Sequence, residues 1–231
     1  MPLQKFGFWT DSALYRWTHR IANTVFGALG ELEPHGHENI PRRGGVLLMC
    51  NHCSYLDPFI VGGAATREIH YMARHDVFGV PILAQFISAL NGFPVKRGVA
   101  DVAALRHTLS LLKSGKAVLV FPEGTRSTDG TLGKAHDGAG FIAFNANVPT
   151  IPVYVKGSSK LFPRHAKWVR RAKLTVTFGE ALDFTAAREL KNRREAYRLI
   201  AEQIMQAIAA LRDRASISDV PISDFGFRIS D

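Results

Sequence analysis

Apolar and polar stretches alternate along the chain in a way that predicts strands interleaved with helices. Two short unbroken apolar runs stand out, Val46-Leu47-Leu48-Met49-Cys50 and Ala117-Val118-Leu119-Val120-Phe121. Runs of this length with no polar interruption read as buried strands. Further strands are predicted over Glu68 to Ala73, over Phe93-Pro94-Val95, and over 151–156 and 173–178. Helical spacing predicts helices over 76–90 (despite Pro81), 100–113 and 138–147. Pro34, Gly36, Pro41 and the Gly44-Gly45 pair mark 31–44 as loop, and 122–137 reads as a long polar loop. Thr185 is placed to cap a final helix that carries Leu190, Tyr197, Ile200, Ile204, Ile208 and Leu211 on one face. Strands alternating with helices predict an α/β fold, a single layered domain with a mostly parallel central sheet flanked by helices. This domain is assigned to residues 31–214.

Two flanking segments differ. In residues 1–30 an apolar stripe of Leu14, Trp17, Ile21, Val25 and Leu29 follows Phe6, Phe8 and Trp9, with Asp11 or Ser12 as a cap. Arg16, Arg20 and Asn23 lie towards the other side. This N-terminal amphipathic helical segment suits a bilayer interface, and it equally suits packing on the core, because both burials select the same periodicity. Residues 215–231 carry no strong pattern and read as a C-terminal tail.

Composition narrows the picture. A 231-residue chain with 46% hydrophobic and 21% charged residues is a globular domain rather than a disordered segment. The formal net charge of +9 favours anionic partners, whether nucleic acid, anionic lipid or a phosphorylated substrate. The two cysteines, Cys50 and Cys53, offer no disulfide framework, so a reducing compartment is the simplest expectation. No apolar run reaches the ~18 residues a spanning helix needs, and the first residues lack the apolar core and cleavage site of a signal peptide.

The chemistry concentrates just beyond predicted strands, where ligands gather in α/β folds. His52 and Asp57 both lie in the strand-to-helix turn Asn51-His52-Cys53-Ser54-Tyr55-Leu56-Asp57-Pro58. An Asp that accepts from one imidazole nitrogen fixes the tautomer, and it stabilises the imidazolium formed when the other nitrogen takes a proton. Such a pair activates a hydroxyl as a nucleophile. A lone His and Asp at this spacing can equally be a surface histidine near a helix start. Phe121-Pro122-Glu123-Gly124-Thr125-Arg126-Ser127 gathers a glycine, two hydroxyls, main-chain N–H groups and an arginine fork in one turn, a combination suited to a phosphate. Phe93-Pro94-Val95-Lys96-Arg97-Gly98 places two more cations after a strand.

With these residues in view, the chain resembles the glycerolipid acyltransferase family, in particular its 1-acylglycerol-3-phosphate acyltransferases. The His52–Asp57 block is similar to that family's His-x4-Asp motif. The blocks at 92–98, 121–127 and Val148-Pro149-Thr150-Ile151-Pro152-Val153 resemble its second, third and fourth motifs, and Gly36-His37-Glu38-Asn39-Ile40-Pro41 also fits. Order and spacing agree over roughly 35–180. The resemblance implies that His52 is the general base and Asp57 its orienter. It implies a phosphate-binding set of Arg74, Lys96, Arg97, Thr125 and Arg126, with Glu123 and Gly124 shaping that site. It further implies an acyl thioester donor, acyl-CoA or acyl carrier protein, a lyso-phospholipid acceptor, and no metal or other cofactor. The expected setting is the cytoplasmic face of a membrane, in peripheral or monotopic association. Two positions depart from the family pattern. Arg74 stands where a lysine is usual, and Ala135-His136-Asp137-Gly138 replaces Phe-Lys-x-Gly, exchanging a cation for a titratable His136. Glycerol 3-phosphate or another lyso-lipid is the alternative acceptor, and a non-catalytic peripheral lipid-binding protein is the alternative class.

Other signals lead elsewhere or nowhere. Cys50-x-x-Cys53 has no second pair to complete a zinc site. Gly138-Ala139-Gly140-Phe141-Ile142-Ala143 lacks the preceding strand and following acid of a dinucleotide fingerprint. No Gly-x-Ser-x-Gly elbow is present. Residues 160–173 carry Lys160, Arg164, Lys167, Arg170, Arg171 and Lys173 with Phe162 and Trp168 interleaved and no acid, which suits an anionic membrane surface, the phosphates of coenzyme A, nucleic acid or a merely solvated face; beside the catalytic blocks, membrane contact is favoured and nucleic acid least so.

Overall fold

Val46–Cys50 and Ala117–Val120 lie side by side near the middle of a seven-stranded sheet in the computed structural model, which describes residues 31–96, 101–163, 166 and 168–217 together with Trp17 and Thr24. The strands are β1 (Leu32–His35), β2 (Val46–Cys50), β3 (Ile69–Arg74), β4 (Gly92–Val95), β5 (Ala117–Val120), β6 (Thr150–Lys156) and β7 (Leu174–Phe178), in the order β1-β7-β6-β2-β5-β3-β4. Five strands from β6 to β4 are mutually parallel. β7 runs antiparallel to β6, and β1 pairs parallel with β7. The mostly parallel sheet expected from the hydrophobic pattern is therefore present.

The unbroken apolar character of β2 has a direct cause. Val46, Leu48 and Cys50 face one core, while Leu47 and Met49 face the other, and all five are fully buried. A parallel strand covered on both faces has no position left for a polar residue. The first core is closed by α1 (Asp57–Ala64) and α2 (Pro81–Ala89), through Ile60, Val61, Ile87 and Leu90 beside the sheet. The second is closed by α3 (Val102–Lys113), α4 (Asp137–Ala146) and the long α7 (Arg193–Ile217), through Leu112, Ile142, Ile200, Ile204 and Ile208. Two short helices, α5 (Ser158–Leu161) and α6 (Thr185–Arg188), complete the layers. Gly140, in the apparent dinucleotide-like run, lies inside α4. A Cβ there would stand 1.8 Å from the carbonyl oxygen of Tyr197, so this glycine serves the close approach of α4 to α7.

Three expectations need correction. Residues 32–35, read as loop because of Pro34, form edge strand β1. A proline is tolerated on an edge because one row of its N–H positions goes unpaired, and the opposite edge strand β4 likewise contains Pro94. The helix expected over 76–90 is two elements, a 3-10 turn at His75–Gly79 and α2, which begins with Pro81 in its first turn. The final helix does not run on from Thr185. It breaks after Arg188, leaving Leu190 in a connection, and restarts where the Asn192 side chain accepts from the main-chain N–H groups of Arg194 and Glu195. The N-terminal segment lies outside the described residues except for Trp17 and Thr24, both helical. Of the C-terminal tail only 215–217 is described, as the end of α7. Among the described residues no helix is long and apolar enough to cross a membrane.

The amino-terminal edge of the sheet is closed by Arg67, whose guanidinium donates to the carbonyls of Pro41, Gly44 and Gly115 at 2.8, 2.8 and 2.6 Å. His70 sits close by on β3. Its burial first, then the charges of Lys116, His107 and Arg67, push its pKa down to about 3. Because the folded value lies below the unfolded value of about 6.5, the unfolded chain holds a proton the native one does not, and stability falls as pH drops from about 6.5 towards 3. In urea unfolding measured across this window, His70→Gln is expected to reduce the pH slope by about one proton.

Candidate active site

Both crossovers that leave the centre of the sheet open the site. The chain leaving β2 enters α1 on one face, while the chain leaving β5 reaches α4 on the other. Such divergence leaves a crevice beyond the carboxyl ends of the two strands. Into it project the turn 51–57 from β2 and the loop 121–136 from β5.

The turn is built around one carboxylate. Asp57, fully buried at the first residue of α1, accepts through Oδ2 from His52 Nδ1 at 2.8 Å and from the main-chain N–H groups of Cys53 and Ser54, both at 2.7 Å. A carboxylate at a helix N-terminus also gains from the helix dipole. Oδ2 already accepts two main-chain N–H groups, and in the tautomer in which Nδ1 also donates to it, Nε2 is the nitrogen that can take a proton. The His52 ring stacks on Phe121 of the neighbouring strand's end, with centroids 3.9 Å apart and planes at 18°. Asn51 extends β2 with its side chain, donating to the Val155 carbonyl and accepting the Val155 N–H at 2.7 Å.

The second loop is tied to the first. Glu123 accepts from the His52 N–H at 3.1 Å through Oε1 and from the Gly133 N–H at 2.9 Å through Oε2, and the Ser127 N–H donates to the His52 carbonyl at 2.7 Å. Glu123 is therefore a bracket between loops. Both of its oxygens are engaged by main-chain donors of separate loops. Gly124 has φ +64°, and a Cβ there would meet the His136 ring at 2.7 Å, so this turn excludes other residues twice over. His136, at the position of the usual lysine, packs on that main chain. Thr125 is exposed beside it.

The cations divide into two groups. Arg126 lies 3.5 Å above the Tyr55 ring, and its Nη1 is buried with no hydrogen-bond partner among the described residues. Arg74 instead forms a bidentate pair with Asp76, through Nε at 2.8 Å and through Nη2. The Lys96 side chain is exposed, and its main-chain N–H donates to Asp101, which also caps α3. Arg97 lies outside the described residues. Cys53 keeps its proton, because burial first and then the charge of Asp57 push its thiol up to about 11. No group of three or more His, Cys, Asp or Glu suited to a metal ion occurs among the described residues. The sequence patterns did not single out Tyr55, Phe121 or Asn51 for a role. Their parts depend on contacts between separate loops and strands, which no local spacing encodes.

Fold and site together define an α/β protein with a buried His–Asp pair and a ring-stacked arginine on two turns beyond adjacent strands. Comparison with known proteins makes this specific. The model of the Acyltransferase family matches residues 31–156. The 1-acyl-sn-glycerol-3-phosphate acyltransferase of Bacillus subtilis is 26% identical over 170 residues, which is 73% of this chain and 82% of that protein. A chloroplastic relative from Brassica napus, 1-acyl-sn-glycerol-3-phosphate acyltransferase BAT2, is 32% identical over 131 residues, and the match covers 55% of this chain and 38% of that longer protein. The crystal structure of the 1-acyl-sn-glycerophosphate (LPA) acyltransferase PlsC from Thermotoga maritima superposes with a TM-score of 0.70 at 26% identity, covering 86% of this chain and 79% of that one. This chain belongs to the acyltransferase family and is an enzyme of the O-acyltransferase type.

The Glu123 bracket yields a direct expectation. Glu123→Gln retains one acceptor oxygen for two main-chain donors and turns an amide NH2 toward the other. Thermal or urea unfolding is expected to show a loss of about 1–3 kcal/mol. As the His52 main chain shifts, kcat is expected to fall roughly 10- to 100-fold.

Proposed function

We propose that the enzyme transfers a fatty acyl group from an acyl thioester, acyl-CoA or acyl carrier protein, to the free hydroxyl of 1-acylglycerol 3-phosphate, giving phosphatidic acid. The observation that carries this reading is the 2.8 Å His52–Asp57 contact together with an Arg126 guanidinium whose Nη1 has no partner among the described residues, on two turns joined by the Ser127–His52 main-chain hydrogen bond. The names of the relatives support the acceptor.

His52 Nε2 takes the proton of the acceptor hydroxyl as its oxygen attacks the thioester carbonyl carbon. The tetrahedral intermediate collapses with cleavage of the C–S bond, and the imidazolium returns its proton to the leaving thiolate. Asp57 stabilises the imidazolium between these steps. A thioester is already activated, so no acyl-enzyme is required. General-base action of this kind contributes about 10²–10⁴-fold. Arg126, aided by Lys96 and Arg97, binds the acceptor phosphate and so aligns the hydroxyl. Arg74, engaged by Asp76 and on the rim, joins them only by exchanging one anion for another. The reaction needs no metal. It takes place at the cytoplasmic face of a membrane with which the protein associates peripherally, and the basic stretch around Arg170 and Arg171 contacts anionic lipid.

The test is an acceptor panel of 1-acylglycerol 3-phosphate, glycerol 3-phosphate and other lyso-lipids, with radiolabelled acyl-CoA and acyl carrier protein as donors. His52→Ala is expected to lose turnover at least 10²-fold while keeping the wild-type melting temperature within a few degrees. A folded His52→Ala enzyme with near-normal activity removes the base assignment. Transfer to no acceptor from either donor favours a lipid-binding protein.

A further inference from the structure

We infer that Tyr55 is a positioning residue for acceptor binding, its ring being the platform that holds Arg126 with its N–H edge free for the acceptor phosphate. This inference rests on the reading of Arg126 as a phosphate ligand.

The two best-described arginines near the crevice show the difference between being held and being occupied. Arg74 is fixed by a carboxylate, so two of its donors and its charge are already engaged. Arg126 is fixed by an aromatic face, with its guanidinium carbon 3.5 Å from the ring centroid. A stacked ring engages the face of the guanidinium and leaves the donors in its plane. Those donors are the ones that form the two-pronged contact with a phosphate. Nη1 of Arg126 is buried and has no hydrogen-bond partner among the described residues, a state it shares with Nε of Arg188, so this donor is not committed to a protein acceptor.

Tyr55 is itself well supported. It lies within the turn whose main chain is fixed at Cys53 and Ser54 by Asp57, and the Ser54 hydroxyl accepts from the Leu56 N–H at 3.3 Å. The same carboxylate orients His52. From the other side, Ser127, next to Arg126, is bonded to the His52 carbonyl. Base and guanidinium are thus referred to one rigid turn, which fixes the distance from acceptor hydroxyl to acceptor phosphate. Tyr55 is 46% exposed, so the ring is not a core element whose removal would unfold the domain.

The experiment is steady-state kinetics of the full chain with 1-acylglycerol 3-phosphate varied at saturating acyl donor. The variants are Tyr55→Leu, Tyr55→Met, Tyr55→Phe, Arg126→Gln and the Tyr55→Leu/Arg126→Gln double variant, each checked by thermal melt. Tyr55→Leu and Tyr55→Met are expected to raise the acceptor KM roughly 3- to 30-fold, with kcat within about twofold and donor KM unchanged. Tyr55→Phe keeps the ring and is expected to restore a wild-type KM. In the Arg126→Gln background, Tyr55→Leu is expected to add nothing. If Arg126→Gln raises acceptor KM while neither Tyr55→Leu nor Tyr55→Met does, or if the Tyr55→Leu effect persists undiminished in the double variant, the platform role is wrong. An equal loss in Tyr55→Phe also overturns it, by assigning the effect to the hydroxyl. If Arg126→Gln itself leaves acceptor KM unchanged, the phosphate reading fails first, and the inference with it.

Discussion

One oxygen of Asp57 meets three donors, the His52 ring and the main-chain N–H groups of Cys53 and Ser54, in a place with no solvent exposure. Such donors and a helix N-terminus offset the cost of burying a carboxylate, and here they all act through Oδ2, since Oδ1 has no partner among the described residues. The requirement works in both directions. The charge shapes the turn, because each donor must point at the same oxygen, and the shaped turn aims the imidazole. Removing the carboxylate would leave two main-chain N–H groups and a ring nitrogen without their acceptor, so the turn's geometry and the histidine's orientation are one property.

That turn stays in register with the rest of the site through the sheet. β2 lies between β6 and β5, so residues just past its end can reach both neighbours. Asn51 hydrogen-bonds the main chain of Val155 on one side, and His52 stacks on Phe121 on the other. Glu123 and Ser127 then fasten the loop after β5 to the main chain of His52. His52, Asp57 and Arg126 therefore hang from the ends of two adjacent strands. The stiffness of a parallel sheet buried on both faces becomes precision in the crevice.

How much of this was legible in the sequence depended on how local each cause is. The buried strands, α3, α4 and the His52–Asp57 turn are set by runs and spacings within a few residues, and their positions were read to within a residue or two. β1 was missed because Pro34 signals loop unless the strand is known to lie at an edge, which is a fact of sheet order. The break between α6 and α7 was missed because an apolar face can continue in register across a gap that only the capping contacts of Asn192 reveal. In the site, Lys96, Arg97 and Arg126 were legible as cations in turns after strands and Arg74 came from the similarity to a family, while the different states of Arg74 and Arg126 came only from three dimensions. Asp76, two residues from Arg74, gives no sign in the sequence that it claims that side chain, and the ring of Tyr55 gives none that it lies beneath Arg126.

The contrast between Arg74 and Arg126 also bears on the two departures from the family pattern. Arg74 replaces a lysine, and an arginine fork can be neutralised in bidentate fashion by a nearby carboxylate, as Asp76 does here. His136 replaces another lysine and lies against Gly124. Each exchange leaves less freely directed positive charge at the crevice than a flexible lysine would supply. Arg126 differs from Arg74, because no carboxylate pairs with it among the described residues. An aromatic ring restrains Arg126 without neutralising its charge, and that ring belongs to the same turn that Asp57 organises.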